Sequence, residues 1–109
     1  MFINGSWCAA DNGKTFQVNN PATGEWVADV PDGGQPDARR AIHAAHDAFD
    51  EWAGMTAYQR SRILYKAYEL MSKSREAIAR TMTIEQGKPL RAAMNEVQYG
   101  ADFLLWYAE

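Results

Sequence analysis

Four metal-binding residue types stand close together at His43, His46, Asp47 and Asp50. Such groups hold a metal only when three or more ligands converge from fixed directions. Spaced along a helix, His43, Asp47 and Asp50 fall away from the apolar stripe and His46 falls on its flank. One exposed face cannot close around an ion, so the pattern reads as a solvated helix surface. Cys8 is the only cysteine. It has no Cys-x-x-Cys partner and no nearby histidine to activate it, and it is expected to lie buried beside Trp7. Gly33-Gly34 stands where a strand passes into a helix, as phosphate-cradling loops do. It lacks both the G-x-G-x-x-G and the G-x-x-x-x-G-K-[ST] spacing and reads as a connector.

Glu85 is the unusual carboxylate. It lies four residues after Thr81, three after Met82 and seven after Ile78. That spacing puts it on the apolar face of its helix, in a last turn where the helix dipole disfavours negative charge. A buried anion there needs a partner such as Lys88, a path out to solvent, or a bound monovalent or divalent cation. Tyr99, Phe103, Trp106 and Tyr107 are the other candidates. They could line a ligand cleft, although aromatic residues at helical spacing commonly serve as core.

Strands and turns must position the first of these groups. Asn4-Gly5 is the residue pair of a tight hairpin, because both positions take positive φ. Asp11-Asn12-Gly13 and Pro21-Ala22-Thr23-Gly24 mark two further turns, and Thr15–Val18 alternates as a half-buried strand does. Trp26, Ala28 and Val30 share one face of the next strand, and the strand region ends by residue 31. From Pro36 the period becomes helical, and Ala38, Ala41, Ile42, Ala45, Phe49 and Trp52 predict one helix of about 17 residues. Thr56-Ala57-Tyr58-Gln59 is a capping box opening a helix striped by Ile63, Leu64, Ala67, Leu70 and Met71. After a break at Ser72-Lys73-Ser74, Ser74 can cap a third helix carrying Ala77, Ile78, Thr81 and Met82. Gly87 ends it, and Pro89 starts the next. The last helix carries Leu90, Ala93, Met94, Val97, Ala101, Leu104, Leu105 and Ala108. Near Glu109 its flanks turn apolar as well, so the helix is expected to be covered by a partner or by more of its own chain.

The 109 residues hold 47% hydrophobic and 12% aromatic side chains, with a formal charge of −3. Such a composition excludes intrinsic disorder and argues against a nucleic-acid surface. No apolar run suits a membrane span, and no leader segment is expected before Phe2-Ile3. A lone thiol fits a reducing compartment. The fold class expected is α+β, mostly helical, with short N-terminal strands and hairpins over 1–31 and about four helices over 36–109.

Three segments in register, Phe2–Trp7, Asn20–Glu25 and Glu85–Leu90, resemble the N-terminal region of the aldehyde dehydrogenase superfamily. Arg60, Arg62, Ile63 and Leu64 fit its second-helix entry, and Trp106-Tyr107-Ala108-Glu109 is similar to its last-helix end. The wording is most similar to the succinate-semialdehyde dehydrogenase branch. The resemblance implies the N-terminal part of a Rossmann-like cofactor-binding domain, with the catalytic domain and all catalytic and NAD(P)-binding residues outside this segment. It implies an oxidoreductase that uses NAD or NADP on a small aldehyde, cytoplasmic and homo-oligomeric, with this segment packed on the remainder of its chain. By position it implies that Glu85, with backbone oxygens near Val18 and Asn19, helps to hold K+ or Na+. It also implies that Tyr99, with Asn95 and Phe103, lies at the mouth of a substrate tunnel. The segment alone is expected to bind no cofactor and to be inactive. The rival reading is a stand-alone helical interaction module that docks through the aromatic end of its last helix.

Overall fold

The computed structural model describes residues 1–109. Four short strands precede five helices, so the chain is mostly helical with N-terminal hairpins, as the change of period at Pro36 predicts. No helix is long and apolar enough to cross a membrane. The chain divides into two compact units, Met1–Asn19 with Trp26–Gly54, and Asn20–Glu25 with Met55–Glu109.

The first unit is built from turns. Strands β1 (Phe2–Ile3) and β2 (Ser6–Trp7) pair antiparallel, with Phe2 opposite Trp7. Asn4 at φ 50° and Gly5 at φ 74° make the tight turn between them, the conformation that only Asn and Gly adopt cheaply. The hairpin is tied to the segment that follows, because the Met1 amino group donates to the Cys8 carbonyl and the Cys8 N–H donates to the Met1 carbonyl, both at 2.8 Å. Strands β3 (Thr15–Asn19) and β4 (Trp26–Pro31) form the second antiparallel hairpin, with a bulge at Val18/Asn19. Helix α1 then runs over Gln35–Asp47 and α2 over Phe49–Gly54. The single helix of about 17 residues expected from the apolar stripe is therefore two. The apolar spacing of Ala45, Phe49 and Trp52 continues across the joint, but Ala48 relaxes to φ −80°, ψ −11°, toward the bridge region where helical turns tighten. Ile42, Phe49 and Trp52 of that apolar stripe are exposed.

The second unit is a helical assembly. Helix α3 (Ala57–Lys73) opens with the predicted capping box, in which the Gln59 N–H donates to Thr56 Oγ1 and the Thr56 N–H donates to Gln59 Oε1. Helix α4 (Arg75–Gln86) follows a break at Ser74, but the Ser74 side chain makes no cap bond. Gly87 ends α4 at φ 75°, and its N–H donates to the Thr83 carbonyl at 2.9 Å. A Cβ at Gly87 would also lie 2.9 Å from Pro21 Cγ. Helix α5 (Leu90–Ala108) packs on both α3 and α4. Small residues allow that approach. Ala79, Ala93 and Val97 form the buried centre, surrounded by Met71, Ile78, Met82, Leu90 and Met94. Arg75 Nε adds a 3.0 Å bond from α4 to the Met94 carbonyl of α5.

Candidate functional site

Helix α5 presents two unlike sides. Ala93, Val97, Ala101 and Ala108 are buried, whereas Asn95, Tyr99, Phe103, Trp106 and Tyr107 are exposed. At ~100° per residue, Asn95, Tyr99, Phe103 and Trp106 fall within a quarter turn of one another, roughly opposite the buried alanines. The Tyr99 and Phe103 rings meet edge to face with centroids 4.9 Å apart, a favoured geometry for aromatic pairs. Gln98 Nε2 donates to Asp102 Oδ1 one turn along, at 2.8 Å. The three residues expected at a tunnel mouth thus share one exposed ridge, and Trp106, read as a cleft-or-core aromatic, extends it. The core reading of the four aromatic residues is corrected: at α5 Ala93, Val97, Ala101 and Ala108 take the inside and the four aromatic rings are exposed.

The expected cation ligands are distributed differently. Val18 is half-buried on β3, Asn19 stands at the bulge, and both belong to the first unit. Glu85, in the second unit, is exposed rather than buried on an apolar face. The face of α4 that packs inward carries Ala79, buried, with Arg75, Ile78, Met82 and Thr83 half-buried. Ala77, Thr81 and Glu85 form the next ridge round the helix and are exposed. The inward face is rotated by part of a turn from the expected stripe, which moves Glu85 off it. Nor is Lys88 the partner of Glu85, because its Nζ donates to Glu96 Oε2 on α5.

Asp37 is the charged group that the sequence reading missed. It is only 3% exposed. Its Oδ1 accepts from the Asp11 N–H at 3.0 Å and from Arg40 Nη2 at 2.7 Å, and its Oδ2 accepts from the Gly34 N–H at 2.9 Å. The Gly34 N–H holds the carboxyl below the usual carboxylate range, against the opposing effect of burial and with help from the Asp11 N–H and the Arg40 charge. The signal was present as an acid at the third helical position, behind Gly34 and three residues before Arg40.

The same contacts decide the Gly33-Gly34 loop. Its Gly34 N–H is taken by Asp37, and a Cβ at Gly33 would lie 2.7 Å from Met1 Sδ. With its Gly34 N–H engaged by the Asp37 carboxylate, the loop is a packed connector between β4 and α1. Cys8 is half-buried, but not against Trp7, which is 83% exposed and stacks edge to face on Phe2. Arg40 Nη2 lies 3.9 Å from its Sγ. His43, His46, Asp47 and Asp50 are all exposed, and His46 Nδ1 lies 3.6 Å from Asp47 Oδ1.

Residues 7–109 match the aldehyde dehydrogenase family. The glutarate-semialdehyde dehydrogenase of Pseudomonas putida is 49% identical over 108 residues, which cover 99% of this chain and 22% of that protein. The NADP(+) succinate-semialdehyde dehydrogenase GabD of Escherichia coli is 44% identical, over 98% of this chain and 22% of its own length. Among solved structures, an E. coli NADP dependent enzyme superposes with a TM-score of 0.95 at 43% identity, covering 98% of this chain and 22% of that one. The succinate-semialdehyde dehydrogenase of Burkholderia pseudomallei gives a TM-score of 0.94 at 42% identity over the same shares. The chain therefore spans 22% of the length of these relatives.

Proposed function

The chain belongs to the aldehyde dehydrogenase family, and from that premise we propose that it is the N-terminal part of an NAD(P)-dependent semialdehyde dehydrogenase. The substrate is succinate semialdehyde or a close homologue, oxidised to the acid with water as the oxygen source. The observation that carries the reading is 49% identity to a semialdehyde dehydrogenase along 99% of the chain, with only 22% of that relative covered. In such chemistry a thiolate adds to the aldehyde, and the nicotinamide takes the hydride. The residues present supply neither. Arg40 Nη2 lies 3.9 Å from Cys8 Sγ, and the Gly34 N–H of the one glycine pair between strand and helix donates to Asp37.

The work of this segment is then support and access. Helices α3, α4 and α5 form a scaffold, and the ridge of Asn95, Tyr99 and Phe103 faces the substrate entrance. Glu85 helps to hold K+ or Na+, a role supported by its place in the Glu85–Leu90 segment that resembles the family. The working protein is cytoplasmic and homo-oligomeric, and the segment alone is inactive. A localisation tag on the full-length protein is expected to report a cytoplasmic signal.

The test is a chimera in which residues 1–109 replace the matching segment of the P. putida enzyme. With a semialdehyde supplied, the chimera is expected to reduce NAD or NADP and the 109-residue chain to reduce neither. A folded but inert chimera, or a turnover signal from the short chain, overturns the reading. The exposed aromatic side of α5 also suits a stand-alone docking module. That alternative requires the short chain to be monomeric and cooperatively folded.

A further inference from the structure

We draw no further inference here: the strongest candidate, the apolar groove along the outer side of α3 lined by Met55, Ile63, Tyr65 and Leu70, carries nothing because nothing in the structure shows what covers it.

Discussion

Asp37 receives donors from Asp11, Gly34 and Arg40, so one carboxylate joins the second turn, the connector and the first helix. A buried anion is tolerated only when its acceptor sites are filled, and here two backbone N–H groups and a guanidinium fill them. Because the folded carboxyl titrates below its ordinary value, its stabilisation is present above the unfolded value of about 3.9 and is lost as pH falls through the folded value. Asp37→Asn should lower the melting temperature at neutral pH. The gap to the parent should narrow from about pH 4 downward, where the parent carboxyl also becomes neutral. Hydrogen exchange at the Asp11 and Gly34 amides should quicken in the variant. A pH-independent gap would contradict the assignment. Glu85 is tested at the same scale. In the full-length chimera, Glu85→Ala should abolish any K+- or Na+-dependent rise in melting temperature, whereas survival of the ion effect places the cation elsewhere.

At the scale of elements, the lesson of α4 is the direction of its inward face. The 3-4 spacing of Ala77, Ile78, Thr81 and Met82 defines a helix correctly but leaves the centre of its buried side uncertain by part of a turn. Alanine and threonine contribute too little apolar area to pin the stripe. What fixes it is the close approach of α5, where Ala93 is buried against the same centre as Ala79. Ala79→Leu should therefore cost about 1–3 kcal/mol by overpacking, while Ala77→Leu on the exposed ridge should stay within about 0.5 kcal/mol. Equal costs in denaturant melts would restore the expected stripe. The termini of these helices were more legible. Thr56 with Gln59, and Gly87 at φ 75°, are local chemical devices, and they work the same way whatever packs around them. The joint at Ala48 had no such marker, since alanine fits a helix interior as readily as its end.

For the molecule as a whole, the buried apolar residues are Ala10, Ala79, Ala93, Val97, Ala101 and Ala108, and no large side chain is fully buried. Trp106 is 75% exposed and Tyr99 65%, far more than aromatic residues of this size usually show in a finished domain. The proposed enzyme gives that surface a use. Tyr99→Ala should leave the melting of the 109-residue chain within about 0.5 kcal/mol, since little packing is lost from an exposed ring. In the active chimera it should change KM between short and bulky aldehydes by roughly 10-fold or more, the range a lost pocket contact commands, with kcat less affected. A chimera whose aldehyde preference is unmoved would take Tyr99 away from the entrance. By itself the sequence determined the hairpin turns, the caps at Thr56 and Gly87 though not the one expected at Ser74, the α+β class and the family, because each rests on short-range chemistry or on wording in register along the chain. Only the tertiary structure decided that Asp37 is the buried charge, that Glu85 is exposed, and that the aromatic side of α5 faces away from its own core. Those outcomes depend on which helix faces meet, and close packing of small residues against α5 selects among faces that the periodicity leaves nearly equivalent.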